Sequence, residues 1–291
     1  MADSSAPPPE AVRSGVSKTL FVVTVVIVAI IALLGGLGLG PIMFPAGPAK
    51  PIVVIGTNTP FPPFERKNPT SGALEGLDVD LINEIGKRNG WDVVWRDFQD
   101  WDALLAAIKF RGVDIGASSI TSNLPGTQGQ QRNDSFDFSD TYYESDQGVL
   151  IKTGTTAVSC AATECTPDEL ANHTVAVQTL TSSYWWVQSN LVDAAKTPAS
   201  MVKDFGDVNS VIQELLNGGV QWVLVDKPIA QNFARTNSQL QVEGTIETNE
   251  LYAFAVANTD PMQLIPKING ALASMRADGT FTTISNKWLG G

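Results

Sequence analysis

The chain has 291 residues, of which 43% are hydrophobic and 17% are charged, a composition typical of a folded globular protein. This length is sufficient for two modest lobes. The formal net charge of -11 argues against nucleic-acid binding, because such binding depends on clustered lysine and arginine side chains.

The N-terminal part contains a long apolar segment, since no charged residue occurs between Lys18 and Lys50. About 20 apolar residues span a bilayer, whereas the core of a signal peptide is usually about 7 to 15 residues long. We therefore predict a cytoplasmic tail at 1–18, a transmembrane anchor at 19–44 and a linker at 45–50, with the following chain outside the cytoplasm. The alternative is a signal peptide cleaved near Ala49, which would leave a secreted or periplasmic protein.

From Ile52 onward, short apolar runs alternate with helical patterns, which is typical of an α/β chain. The predicted strands are 52–56, 93–95, 113–117, 174–178, 201–205 and 222–225. The predicted helices begin near Leu77, Trp101, Ser182, Val208 and Pro228. Because these βα units form two similar sets, the sequence predicts two lobes.

Polar and aromatic side chains follow the ends of several predicted strands. In open α/β sheets, ligands bind beyond the carboxyl ends of the strands, where helix N-termini offer free N–H groups. The sequence therefore predicts one shared pocket. The hydroxyl and aromatic candidates for this pocket are Phe61, Phe64, Ser118, Ser119, Thr121, Thr181 and Ser182.

One cation and one anion complete the predicted pocket. Arg132 precedes the aromatic segment 136–143, and its guanidinium could bind a carboxylate with two parallel hydrogen bonds. Asp226 follows the strand at 222–225 and could pair with an ammonium group. Because a buried unpaired charge is costly, the two together suit a zwitterion such as an α-amino acid. Taken singly, Arg132 could be a solvated loop residue and Asp226 a helix cap.

Cys160 and Cys165 are the only cysteines, and they flank a short loop in the part predicted to lie outside the cytoplasm. A local disulfide is the simplest interpretation, and it would stabilise the fold by about 2 kcal/mol. Two free thiols are the alternative. We predict no metal site, cofactor or catalytic residue.

At these residues the chain resembles extracytoplasmic solute-binding protein family 3, the amino-acid-binding receptors of ABC importers. The resemblance extends over nearly everything after Pro51. The segments that carry it are 62–65, 76–81, 101–102, 112–114, 120–121, Arg132 with 137–140 and 142–143, 223–226, 276–280 and 287–290.

The resemblance implies a two-lobed α/β periplasmic-binding-protein fold, type II-like, with two crossing hinge strands about which the lobes close. One lobe would comprise 51–147 and 251–291, and the other 148–250. The implied partners are an ABC permease with its ATPase subunit and a free polar amino acid, such as glutamine or glutamate. By resemblance, the carboxylate would be bound by Arg132, Ser119, Thr121 and Thr181, the amino group by Asp226, and the ligand body by Phe64.

Several features depart from the family pattern. The segment Ser122–Gln131 lengthens the turn before Arg132, Leu180 replaces a glycine before Thr181, and Trp185 and Trp186 are unusual.

Two other functional classes are compatible with the fold. An enzyme resembling a cyclohexadienyl (prephenate or arogenate) dehydratase would need a general acid, and Glu65 and Asp78 are the acids nearest the predicted pocket. A ligand-sensing ectodomain is disfavoured, because the tail at 1–18 carries no output domain.

Overall fold

The computed structural model describes residues 49–123, 132, 134–156 and 158–290. Lys50–Gly291 form one compact unit. The predicted tail at 1–18, the predicted anchor at 19–44 and linker residues 45–48 lie outside the described residues. In the described part of the chain, no helix combines the length and the apolar composition needed to cross a bilayer.

Strands and helices alternate along the chain, as the sequence patterns predict. The described strands are β1 Ile52–Asn58, β2 Arg66–Lys67, β3 Leu74–Glu75, β4 Asp92–Phe98, β5 Ile115–Gly116, β6 Phe136–Phe138, β7 Tyr143–Lys152, β8 Val175–Gln178, β9 Val202–Phe205, β10 Trp222–Asp226, β11 Leu240–Tyr252 and β12 Ala255–Ala257. The described helices of at least four residues are α1 Leu77–Asn89, α2 Trp101–Lys109, α3 Pro167–Leu170, α4 Ser182–Val187, α5 Val208–Leu216, α6 Lys227–Thr236, α7 Leu264–Asp278 and α8 Thr280–Leu289, with a π-helical turn at Gln188–Val192.

The strands form two five-stranded sheets, one in each lobe. The first has the order β4–β1–β5–β12–β6, and the second has the order β11–β7–β10–β8–β9. In each sheet parallel strands of βα units meet antiparallel strands from elsewhere in the chain. The two-lobed α/β fold predicted from the sequence is therefore present.

The chain crosses between the sheets along β7 and β11, which pair antiparallel from Tyr143 with Tyr252 onward. Directly after β11, the Ala253 N–H donates to the Ile120 carbonyl, 3.0 Å away. The chain has therefore reached the first lobe at Ala253. The lobe boundaries predicted after residues 147 and 250 fall inside these two strands. Two adjacent antiparallel strands that cross in this way allow the lobes to rotate about a shared hinge.

Helix α1 illustrates how the apolar pattern produces the core. Leu77, Leu81, Ile82 and Ile85 recur at helical spacing, and all four side chains are fully buried. The helix ends at Gly90, whose φ of 68° is left-handed and suits glycine.

The predicted disulfide between Cys160 and Cys165 is formed in the second lobe. It packs beside β11 at Gly244, where a Cβ atom would lie only 2.5 Å from the Cys165 Sγ.

Candidate functional site

A cleft lies between the lobes and has an empty volume of about 490 Å³, including the space at its mouth. Both lobes line it, so closing the lobes would enclose a ligand. The lining residues are Asn58, Phe61, Glu65, Trp101, Ser118, Ser119, Thr121 and Arg132 from the first lobe, and Gln178, Thr181, Ser182, Ser183, Val208, Val211, Leu224, Val225 and Asp226 from the second.

Eight of the nine side chains predicted for the pocket line this cleft, and Phe64 does not. The Phe64 ring is fully buried in the core, with its centroid 5.0 Å from that of Tyr143 and 5.3 Å from that of Tyr252. This placement does not support a direct contact between Phe64 and a ligand. Phe61 provides the aromatic wall instead, because it lies on the same loop but faces the cleft.

Arg132 is a buried cation with only 7% of its surface exposed. Its Nη1 donates to the Thr121 carbonyl at 2.7 Å, and its Nη2 donates to the Leu180 carbonyl at 3.3 Å. Burial lowers the pKa of Arg132 to about 10, and the charges of Glu250 and Asp226 partly offset this effect. Arg132 therefore stays charged at neutral pH. No carboxylate among the described residues forms an ion pair with it, so further N–H groups are available for an anionic ligand.

Asp226 is a buried carboxylate at the end of β10, and only 5% of its surface is exposed. It makes no side-chain capping bond to α6, so the structure does not support the interpretation as a cap. Its Oδ1 accepts from Gln147 Nε2 at 2.7 Å, and its Oδ2 accepts from the Tyr252 hydroxyl. Burial, followed by the charge of Glu250, raises the pKa of Asp226 to about 7.

The sequence analysis missed two buried polar residues behind the cleft, Gln147 on β7 and Glu250 on β11. Glu250 accepts from the Thr121 hydroxyl at 2.7 Å and from Gln147 Nε2 at 2.6 Å. Both residues lie inside crossing strands, where the rule that ligands bind beyond strand ends gives no signal. Their one recognisable feature was a polar side chain within an otherwise buried strand pattern.

Glu65 and Asp78 are fully buried carboxyl groups at the floor of the first lobe, and Glu65 lines the cleft. The Ser118 hydroxyl donates to Glu65 Oε1 at 2.7 Å, whereas Oε2 has no hydrogen-bond partner among the described residues. Burial, with a smaller effect from the Asp78 charge, raises the pKa of Glu65 well above its usual range. Burial also raises the pKa of Asp78 to about 7. The Glu65 carboxyl group on the cleft wall is therefore protonated more readily than an exposed glutamate.

Leu180, which replaces the glycine of the related pattern, has a φ of 58°. This is the left-handed region that glycine adopts at little cost. Its carbonyl accepts from both Arg132 and the Trp101 Nε1, each at 3.3 Å, so the peptide joins the two lobes. The following Thr181 hydroxyl caps α4 by accepting from the Tyr184 N–H at 3.3 Å. The segment therefore places the N-terminus of α4 at the cleft.

Trp185 and Trp186 do not line the cleft. Trp186 packs against the core of the second lobe, and the Trp185 ring meets Tyr184 edge-on at 4.9 Å. Most of the predicted insertion Ser122–Gln131 lies outside the described residues.

Comparison with known families gives one match that covers most of the chain. The profile of the family described as "Bacterial extracellular solute-binding proteins, family 3" matches residues 53–291. A similar curated protein is the L-cystine-binding protein TcyA of Bacillus subtilis (strain 168), which is 26% identical over 242 residues, covering 83% of this chain and 82% of TcyA.

Solved structures share the fold. The arginine-, lysine-, histidine-binding protein ArtJ from Geobacillus stearothermophilus has a TM-score of 0.71 and 32% identity, covering 84% of this chain and 96% of ArtJ. The ancestral amino acid-binding protein AncCDT-1, a precursor of cyclohexadienyl dehydratase, has a TM-score of 0.67 and 26% identity, covering 81% of this chain and 95% of AncCDT-1.

Proposed function

The chain belongs to the bacterial extracellular solute-binding proteins, family 3, and from this premise we propose that it is a receptor that binds one free amino acid between its lobes. The observation that carries this proposal is the pair of buried opposite charges in one cleft, with Arg132 in the first lobe and Asp226 in the second. A zwitterion that bridges the two would neutralise both charges and hold the lobes together.

The carboxylate of the ligand would lie at Arg132, whose guanidinium lines the cleft and is held in place by the Thr121 carbonyl. The N-terminus of α4 at Thr181 and Ser182 adds N–H groups from the opposite lobe. The ammonium group of the ligand would lie at Asp226, which can form an ion pair with it when the carboxyl group is ionised. Ser118 and Ser119 line the same wall and supply polar atoms between the two ends.

The charge balance of the cleft supports an amino acid with a cationic side chain. Arg132 is the only cation among the described residues that line the cleft, whereas Glu65 and Asp226 line it and Glu250 lies directly behind it. A glutamate ligand would add another negative charge to this cleft, which disfavours its binding. Arginine or lysine could place its side-chain cation near the Glu65 carboxyl group, which lines the cleft and has one oxygen without a hydrogen-bond partner among the described residues.

The binding lobes would lie outside the cytoplasm and deliver the amino acid to an ABC permease with its ATPase subunit. Family membership supports this location, because its members are extracellular solute-binding proteins. The predicted segment 19–44 would tether the lobes to the membrane close to that permease. A fluorescent fusion that remains with the membrane fraction after a salt wash would agree with the tether, whereas release into the soluble fraction would contradict it.

A thermal-shift screen of the full chain in mild detergent tests this proposal. Each of the common amino acids is added in turn, with arginine and lysine expected to raise the melting temperature most. A ligand at 100 times its Kd stabilises the folded state by about 2.7 kcal/mol. Arg132→Ala should abolish the shift, and Arg235→Ala, which removes an exposed arginine on α6, should preserve it. The proposal fails if no amino acid shifts the wild-type protein.

A dehydratase is the second candidate, and it is favoured by the raised pKa of Glu65, a buried carboxyl group on the cleft wall. A protonated carboxyl group could donate a proton to a leaving hydroxyl group. The similarity to a precursor of cyclohexadienyl dehydratase makes this worth testing. Incubation with prephenate and with arogenate should give no dehydrated product if the protein is a receptor only. Product formation that Glu65→Gln abolishes would instead establish the enzyme.

A further inference from the structure

Glu250 occupies a position that links the two charged ends of the cleft. Its carboxylate is 1% exposed and lies on β11, one of the two strands that cross between the lobes. From the first lobe, Thr121 donates its hydroxyl to Oε2 at 2.7 Å. From the second lobe, Gln147 donates its amide to Oε1 at 2.6 Å, and Thr248 adds a third donor at 3.1 Å. Glu250 does not line the cleft itself, so any effect on a ligand passes through its neighbours.

The Gln147 amide nitrogen is a hydrogen-bond donor that is shared by two carboxylates, those of Asp226 and Glu250. It lies 2.7 Å from Asp226 Oδ1, 2.6 Å from Glu250 Oε1 and 3.2 Å from Ser182 Oγ. An amide nitrogen carries only two hydrogens, so these three acceptors cannot all be served at once. Two buried carboxylates held this close repel each other when both are ionised.

The same carboxylate also faces the cation. Among the described charges that act on Arg132, Glu250 has the largest favourable effect, followed by Asp226. Glu250 therefore helps to balance the positive charge of Arg132. A ligand carboxylate that pairs with Arg132 leaves the negative charges of Glu250 and Asp226 without their cation. Binding of an ammonium group beside these two carboxylates then becomes more favourable.

We propose that Glu250 is a positioning residue that controls binding at the ammonium anchor: by sharing the Gln147 amide with Asp226, it makes the binding of an amino acid depend on pH. This inference rests on the proposed amino-acid receptor function. The described charged and titratable groups that face this pair are Arg132, Glu65, Tyr143 and Tyr252. Arg132 stays positive and the tyrosines stay neutral over the range considered below, so they supply a constant background.

The sign follows from the protonation of Asp226. A protonated Asp226 cannot pair with an ammonium group, so affinity falls as the pH drops below the pKa of Asp226. Glu250 helps to raise that pKa, and the hydrogen bond from Gln147 lowers it. Glu250→Gln should therefore move the midpoint of the affinity profile to lower pH. Gln147→Met keeps both carboxylates but removes the shared donor, so it should move the midpoint to higher pH.

The experiment titrates the full chain with L-glutamine and L-arginine by calorimetry at several pH values between about 5 and about 8.5. L-Glutamine reports on the ammonium anchor without a side-chain cation at Glu65. Wild-type affinity should fall by up to about tenfold per pH unit below the midpoint. Glu250→Gln should reduce this loss at low pH, and Glu250→Asp should restore the wild-type profile. Glu247→Gln removes an exposed carboxylate from the same strand and is the matched control.

The outcomes separate this inference from the proposed function. No binding of any amino acid by the wild type at any pH overturns both. Binding by the wild type with superimposable pH profiles for Glu250→Gln and Glu247→Gln overturns the role of Glu250 alone. A uniform loss of affinity at every pH in Glu250→Gln would indicate a merely structural role and also overturns it. If Glu250→Gln does not fold, an unmoved midpoint in Gln147→Met decides against the inference.

Discussion

Gln178 of the second lobe donates from Nε2 to Asn58 Oδ1 of the first lobe at 3.1 Å, so the two lobes are in direct contact across the cleft. The same side of the cleft carries a backbone bond from the Trp101 N–H to the Gly206 carbonyl at 3.1 Å. The indole of Trp101 adds a bond to the Leu180 carbonyl at 3.3 Å. Each of these contacts joins the two lobes, so together they stabilise the closed arrangement and would lower the cost of closing around an amino acid.

Trp101→Phe removes the indole donor and keeps an aromatic ring in place. The loss of one hydrogen bond between the lobes should cost about 1 kcal/mol, which is roughly a fivefold shift toward the open state. We expect a larger radius of gyration for the ligand-free variant in solution scattering, and amino-acid affinity should fall by a similar factor. Identical scattering for the variant and the wild type would show that this bond does not contribute to closure.

Gly76→Ala should destabilise the first lobe severely. Gly76 precedes α1 with a φ of 141°, and an added Cβ would lie 1.9 Å from the Phe64 carbonyl oxygen. Relieving that clash would disturb the loop behind the cleft, so we expect a loss of at least about 3 kcal/mol in chemical denaturation. Gly270→Ala is the control, because nothing lies within 4 Å of its Cβ position in α7. It should instead stabilise the protein by roughly 0.5 to 1 kcal/mol, and equal effects of the two changes would contradict this interpretation.

The ligand-free protein should lose stability as the pH rises from about 5 to about 8. Asp78 and Asp226 have pKa values of about 7 in the folded state, above those of an unfolded carboxyl group, and burial is the main cause. The unfolded state therefore releases these protons at lower pH than the folded state, so raising the pH through 7 favours unfolding. Melting temperatures measured without amino acids should decline over this range, and Asp226→Asn should make the decline shallower. A melting temperature that rises between pH 5 and 8 would contradict the raised pKa values.

The sequence predicted the parts of the site that depend on local pattern. The helical spacing of Leu77, Leu81 and Ile85 predicted a buried helix face, and the structure confirms it. Arg132 and Asp226 were predicted to be the cation and the anion of one pocket, and both line the cleft.

The sequence could not predict the parts that depend on pairing between distant strands. Glu250 and Gln147 meet only because β11 pairs with β7. The local sequence of either strand does not indicate the register of that pairing. Phe61 and Phe64 lie in the same loop, and only tertiary packing decides that Phe61 faces the cleft and Phe64 enters the core. The pattern gave no means of separating them.

In the proposed complex, Arg132 binds the carboxylate and Asp226 binds the ammonium group of the same ligand. The most direct test is calorimetric titration of the wild type, Arg132→Ala and Asp226→Asn with L-arginine, L-argininamide and 5-guanidinopentanoate. L-Argininamide lacks the carboxylate charge, and 5-guanidinopentanoate lacks the α-ammonium group. Arg132→Ala should lower the affinity for L-arginine by about tenfold or more but the affinity for L-argininamide only slightly. Asp226→Asn should lower the affinity for L-arginine and L-argininamide but not for 5-guanidinopentanoate. If each variant weakens all three ligands by the same factor, the two residues do not hold opposite ends of the ligand.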